Sequence, residues 1–305
     1  MRGYILKRLM FLVPTVLGVV TLVFFLVHMI PGDPIEVMLG ETAQQVDKEK
    51  LRSDLGLDKP IAVQYKNFIK GVFTGDLGES YFYNKSVVTI ILEKIPATVE
   101  LSILAMIIAI LISLPIGMLS ALKKNSYVDT TSMFMSLLGV SMPNFWLGPI
   151  LIIIFSIQLG LFPVSGRVGF LSIVLPAVTL GTALAAMLSR MTRSSMLDVI
   201  GEDYLVAVRA KGAPRRVVIV KHALKNAMIP VITIIGLQFG SLLSGAIITE
   251  NVFSWPGLGT LFISSIQTRD YPLVQGCVLF FSFSYVIINL LTDLVYAVVD
   301  PRIRY

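Results

Sequence analysis

Charge is what this sequence has least of. Of 305 residues, 14% are Asp, Glu, Lys or Arg, against roughly 25% in soluble globular chains. A deficit that large excludes an ordinary water-facing surface over most of the chain. Cysteine is scarcer still: Cys277 stands alone inside an apolar stretch, which excludes an intrachain disulfide and a thiolate metal cage. His28 and His222 lie far apart and give no ligand pair. No Gly-Lys dipeptide occurs, so there is no Gly-x-x-x-x-Gly-Lys-Ser/Thr phosphate loop.

Apolar residues fill the space, at 55% of the sequence and a mean hydropathy of +0.81. Uncharged runs cover 9–32, 101–122, 130–166, 168–189, 226–249 and 271–292, which is 24, 22, 37, 22, 24 and 22 residues. A bilayer core of about 30 Å takes roughly 20 apolar residues at 1.5 Å each. Five runs fit one helix each. The 37-residue run is too short for two helices plus a turn, and Pro143, Pro149 and Pro163 interrupt it; it reads as one helix with long irregular ends. The runs are apolar all round, as lipid requires. The expected fold is all-α, an integral membrane protein with six transmembrane helices. Arg2, Lys7 and Arg8 resemble the basic start of a signal peptide, but the apolar stretch 9–30 is too long for one and ends in Pro31-Gly32-Asp33-Pro34. It reads as a retained anchor.

Six spans put both termini on one side, and the distribution of Lys and Arg selects the side. With the N-terminus inside, the inner segments hold 15 Lys/Arg and five acids, the outer ones 10 and 13. The expected orientation is N-in, C-in. The layout divides into 1–32, an N-terminal segment with the first span; 33–95, an extracytoplasmic loop or cap; and 96–305, a five-helix core with an inner loop at 190–227. The 33–95 segment carries eight Lys/Arg and ten Asp/Glu. Ile61, Tyr65, Phe68, Ile69 and Val72 recur at helical spacing, and Gly75-Asp76-Leu77-Gly78 reads as a turn. A solvated spacer needs no such stripe, so a small folded cap is expected.

The 190–227 loop carries eight Lys/Arg and His222 against three acids. Positive-inside topology asks only for a few such charges. The segment 201–211 is good helix sequence with Glu202 and Asp203 in its first turn, suiting the helix dipole. Gly212 would stop it in a left-handed conformation, and Pro214 would start a second helix running to about Asn226. Two short helices with a glycine elbow make a rigid cytoplasmic knob.

Here the sequence resembles the binding-protein-dependent ABC permeases, in their dipeptide/oligopeptide/nickel branch. Val208-Arg209-Ala210-Lys211-Gly212-Ala213, then His222-Ala223-Leu224-Lys225-Asn226 and Pro230, look like that branch's cytoplasmic signature. Against the wider pattern of Glu-Ala-Ala, three residues, Gly, then Ile-x-Leu-Pro, the chain keeps Ala207, Gly212 and Leu224. It has Val206, Val208, His222 and Lys225 at the other positions. Pro31-Gly32-Asp33-Pro34, Leu55-Gly56-Leu57-Asp58-Lys59-Pro60 and Gly75-Asp76-Leu77-Gly78 look like the B-type subunit of these systems. So do Glu250-Asn251-Val252-Phe253-Ser254-Trp255-Pro256-Gly257-Leu258-Gly259 and the ending Asp300-Pro301-Arg302-Ile303-Arg304-Tyr305.

The resemblance implies a type I ABC importer permease fold in the cytoplasmic (inner) membrane of a bacterium or archaeon. It implies partners: a second similar permease, one or two ATPase subunits that use ATP, an extracytoplasmic substrate-binding protein and the bilayer, with no nucleic acid. It implies too that this chain is a non-catalytic subunit that binds no cofactor of its own, with which the missing phosphate loop agrees. It makes the 201–226 loop the element that couples to the ATPase, with Tyr204, Ala207, Arg209, Ala210, Lys211, Gly212, Pro214, His222, Leu224 and Asn226 as the contact set. Relatives carry peptides, nickel chelates, glutathione-like compounds and some sugars; family frequency favours di- and oligopeptides.

Polar residues within spans are candidates for the substrate path. Asn289 and Asp293 lie four apart on one face of the last span; Asp293 pairing with an inner-loop Lys or Arg is the structural alternative. Asn144 and Gln238 read equally as path residues or as packing hydrogen bonds. Glu100 stands at the outer end of the second span, as a rim charge or a solvated carboxylate. Trp255 is either an interface anchor or part of a turn back towards the pore. Two other function classes fit the sequence less well. A self-powered secondary transporter usually shows inverted repeats, and none relates 1–150 to 151–305. An ion channel needs a filter or a charged ring, and no such string occurs.

Overall fold

The structure, a computed structural model, describes residues 2–29, 32–40 and 44–299, and the side-chain surroundings of all of these but 2–13, 244–245, 293 and 296–299. The helices are α1 (Arg2–His28), α2 (Pro34–Leu39), α3 (Gln45–Asp54), α4 (Ile61–Thr74), α5 (Val87–Leu122), α6 (Tyr127–Ser141), α7 (Asn144–Leu151), α8 (Val174–Ile200), α9 (Asp203–Ala210), α10 (Arg215–Val217), α11 (Leu224–Gly245), α12 (Ile247–Val252), α13 (Leu258–Gln267) and α14 (Tyr271–Val299). Among the described residues there is no strand beyond one isolated bridge, Glu79 to Ser86. They form two compact units: residues 1–98 with 256–286, and 99–255 with 287–304.

In the first unit the predicted stripe is α4. Its Tyr65 hydroxyl is 2.7 Å from Thr21 Oγ1, and Gln64 Oε1 lies 3.2 Å from His28 Nε2. The Phe24 ring sits 5.2 Å from Tyr65 and 5.6 Å from Phe68. Helix α4 is therefore packed against α1. Asp33 caps α2, its Oδ1 accepting from Ile35 N at 2.9 Å with Pro34 at the first helical position. The predicted turn forms where α4 stops on Gly75, at φ +76°; Gly78 N then donates to Asp76 Oδ1 at 3.0 Å. Asp270 is fully buried. It accepts from Leu273 N at 3.2 Å, Phe82 N at 3.3 Å and Ser80 Oγ, which fastens the 79–86 turn to the start of α14.

In the second unit α8 is the central helix, flanked by α6 and α11. Small residues let α5 reach its backbone. A Cβ on Gly117 would stand 2.6 Å from Ser189 O, and one on Gly181 would stand 2.9 Å from Ala105 O. Close backbone approach is how helices associate where lipid removes the hydrophobic drive.

Four described helices are long and apolar enough to cross a membrane: Val87–Leu122, Phe170–Ile200, Arg215–Leu243 and Tyr271–Thr292. A fifth is gained if Tyr127–Ser141 and Asn144–Gln158 count as one broken span, bent by 100°. The expected first span falls on α1, of which only Pro14–His28 has described side chains. The closing Asp300–Tyr305 motif lies outside the described residues.

Two expectations are corrected. The 37-residue run is not one helix with irregular ends. Pro143 cannot donate and holds Met142 extended, at φ −81° and ψ 116°, so the chain turns sharply there and resumes as α7 and a π-helical turn, Ile152–Gln158. Nor does the second knob helix stop at Asn226. Arg215 to Gly245 is continuous, α10 passing through a π-helical turn, Val218–Ala223, into α11. No helix breaker stands between Pro214 and Pro230, and a π turn absorbs a register change without ending the helix.

Candidate functional site

The knob is built at the end of α8. Glu202, with extended ψ of 140°, starts α9, which carries Asp203 in its first turn and Arg209 in its last, both favourable to the helix dipole. Its apolar positions fall on one side: Leu205 is buried, and Tyr204 and Val208 are half-buried. They pack with buried Met196 of α8, Ala121 of α5, and Val218, Ala223 and Ala227 of the following helix. Fully burying a leucine contributes about 1.5–3 kcal/mol. Leu205 thus seats α9 on the ends of two membrane-length helices.

The elbow is backbone-driven. Gly212 N donates to Arg209 O at 3.0 Å with Gly212 at φ +80°, and a Cβ there would meet open space. Its requirement is the left-handed conformation, not crowding. Pro214 then accepts from Val217 N at 2.9 Å and Val218 N at 3.1 Å, and starts the next helix.

Four residues of the predicted contact set hold this arrangement together. Tyr204 Oη donates to His222 O at 3.2 Å and accepts from Asn226 Nδ2 at 2.8 Å. Leu224 packs against the buried cluster. Ala207, Ala210, Lys211, Gly212 and Pro214 are exposed. At 100° per residue, Ala207 points away from Leu205. The outward face also presents Val206, 58% exposed, and Val220, 49% exposed. Arg209 is exposed but lines a cavity on the Leu205 side of α9.

One strong interaction near the knob had no sequence signal beyond an isolated inner acid. Asp129, 4% exposed, accepts from Arg193 Nε at 2.6 Å and Arg193 Nη2 at 2.7 Å, from Asn125 N at 2.9 Å and from Ser120 Oγ. It ties the start of α6 and the α5–α6 turn to α8, one helical turn before Met196.

Glu100 and Trp255 are brought together by Arg167, which the sequence offered only as an outer-loop charge. Arg167 Nη2 donates to Glu100 Oε2 at 2.6 Å, and its guanidinium lies 5.7 Å from the Trp255 ring centre. Trp255 is 1% exposed, which leaves no ring face for a lipid interface. Gln238 Nε2 contacts Met187 Sδ at 2.9 Å. Asn289 Oδ1 is buried without a partner among the described residues. Asn144 opens α7 just after the bend. The side chain of Asp293 lies outside those described.

Comparison with known proteins agrees with this architecture. Residues 113–305 match the family described as binding-protein-dependent transport system inner membrane component, and residues 1–102 match the N-terminal domain of such membrane components. The chain is 46% identical to the dipeptide transport system permease protein DppB of Escherichia coli (strain K12), over 100% of this chain and 99% of that one. It is 44% identical to the glutathione transport system permease protein GsiC of Pectobacterium atrosepticum, over the whole of both. Among solved structures it resembles a chain of the MetNI methionine ABC transporter in inward-facing conformations. There the TM-score is 0.59 at 19% identity, with 69% of this chain and 96% of that one covered, a likeness of fold. The chain belongs to the family of binding-protein-dependent transport system inner membrane components.

Proposed function

We propose that this permease subunit forms half of the translocation path of an ATP-driven importer for small peptides and that its α9 knob receives the force of the ATPase. The observation that carries the proposal is the two-sidedness of α9. One face is locked to the ends of α5 and α8 through Leu205 and Met196; the other presents small and apolar residues, Val206, Ala207 and Ala210, to solvent. A short helix seated in that way transmits a push at its outer face to the spans as a rigid body. The chain itself hydrolyses nothing; in its family ATP is consumed by separate subunits.

In the full proposal α1, α5, the broken pair α6–α7, α8, the helix from Arg215 and α14 make six spans with both termini inside. The chain lies in the cytoplasmic membrane of a bacterium or archaeon. A second permease completes the path, one or two ATPase subunits meet the two knobs, and an extracytoplasmic binding protein meets the 33–95 segment. Relatives named for dipeptide and for glutathione, a tripeptide, support a cargo of two or three residues.

Purification tests the reading. The isolated chain should show no ATPase activity above background. Co-purified with its partners, it should support hydrolysis that rises on adding peptide-loaded binding protein. Hydrolysis by the isolated chain that survives further purification, or the absence of any ATPase in mild-detergent pull-downs from the native membrane, would refute it.

A further inference from the structure

A cavity of about 490 Å³ opens beside the knob, between the ends of α5 and α8, α9 and the helix from Arg215. Its size is in the roughly 300–1,000 Å³ range of small-molecule sites. Eight of its ten lining residues are apolar and the other two are Arg209 and Arg215; no carboxylate is among them. Neither arginine takes part in an ion pair or side-chain hydrogen bond among the described residues. Depth is the second observation. Ala121 and Leu122 on its wall are the last residues of an uncharged run, immediately before Lys123 and Lys124. The cavity therefore opens where the hydrocarbon ends and headgroups begin. Two free guanidiniums over an apolar floor, at that depth, are complementary to an anionic amphiphile.

We propose that this cavity binds an anionic phospholipid of the adjoining leaflet. Arg209 and Arg215 take the headgroup phosphate, and the glycerol end of the acyl chains lies against Leu122, Ile200 and Ile219. The bound lipid wedges α9 against the membrane ends of α5 and α8, so the seating of the knob depends on lipid charge. The site faces away from Ala207, so lipid binding and ATPase docking use opposite sides of α9. The proposal relies on the N-in placement only for which leaflet supplies the lipid.

The test uses the full chain, delipidated in mild detergent and reloaded with phosphatidylglycerol or phosphatidylcholine of matched acyl chains, with retained lipid counted by native mass spectrometry. Phosphatidylglycerol should be retained about ten- to thirtyfold better, the attraction expected of two arginines at an anionic surface. Arg209→Gln with Arg215→Gln should abolish the preference, whereas Lys66→Gln with Lys70→Gln, an equal loss of charge on the outer segment, should not. Ile219→Trp, which fills the cavity and keeps both arginines, should also lose retention; this keeps the proposal testable should the double arginine variant fail to fold. Ala207→Glu should leave lipid retention intact, so failure of ATPase docking and failure of lipid binding read out separately. Equal retention of the two lipids, an unchanged preference in the cavity variants, or displacement by millimolar inorganic phosphate or an acidic peptide would overturn the proposal. Displacement would show a site for any anion, not for a lipid.

Discussion

Removing the Asp129 carboxylate probes how the start of α6 is held to α8. The side chain is 5% exposed and accepts from both Arg193 nitrogens, Asn125 N and Ser120 Oγ. Breaking a buried pair by deleting one partner costs about 3–5 kcal/mol, because the remaining charge is stranded. The Arg193 side chain keeps 23% exposure, so water answers part of that cost, and Asp129→Ala should destabilise by about 2–4 kcal/mol. Arg193→Met, which leaves the carboxylate two of its donors, Asn125 N and Ser120 Oγ, but not its countercharge, should cost a similar amount. The double variant Asp129→Leu with Arg193→Met should be milder than either single change, since apolar groups of similar volume replace a buried pair at little net cost. The assay is unfolding of the purified chain in mixed micelles, followed by the fluorescence of Trp146 and Trp255. A coupling between the two sites of about 1–3 kcal/mol is expected for groups in direct contact. Strict additivity, within about 0.5 kcal/mol, would mean that the pair does not form and that the α5–α6 turn is held otherwise.

Two further outcomes follow from the same geometry. Gly212→Val places a branched side chain at φ +80°, a strain of roughly 1–2 kcal/mol; membrane levels should be normal, with reduced transport measured in membranes matched for permease amount. With Cys277 replaced by Ser, cysteines at exposed Asn67 and Asn84 should react with impermeant thiol reagents from outside, and saturating binding protein should protect them. Reaction only after the inner face is opened would reverse the topology, and labelling indifferent to the binding protein would remove the contact.

What the sequence displayed well were features written in neighbouring residues. Tyr65 and Phe68 share a face because 3.6 residues make a turn, and that face is the one on α1. Gly212 between two good helix formers marks a left-handed stop, and it has positive φ. The Tyr204, Leu205 and Val208 stripe, at i, i+1 and i+4, marks the seated face of α9 in the same local way. Long-range partners left no such trace. Asp129 and Arg193 are 64 residues apart, and nothing local says which base an isolated acid will meet. Arg167 likewise became the link between Glu100 and Trp255 only once the chain had folded. Charge-free runs also do not mark helix ends: α5 begins at Val87, well before its uncharged run, and carries Glu93, Lys94 and Glu100 within the helix.

The central claim is that the outer face of α9 is the docking surface for the ATPase. Ala207 is exposed on that face and points away from the buried Leu205 seat, so Ala207→Glu leaves the fold of the knob untouched. In a packed contact the new carboxylate would be buried without a partner, at about 3–5 kcal/mol, which lowers docking several hundredfold or more. The measurement is recovery of the ATPase subunit with the tagged permease, from membranes holding equal amounts of wild type and variant. Normal permease levels with the ATPase lost are the expected result; full recovery of the ATPase by the Ala207→Glu permease would contradict it and leave the knob a basic inner loop with no coupling role.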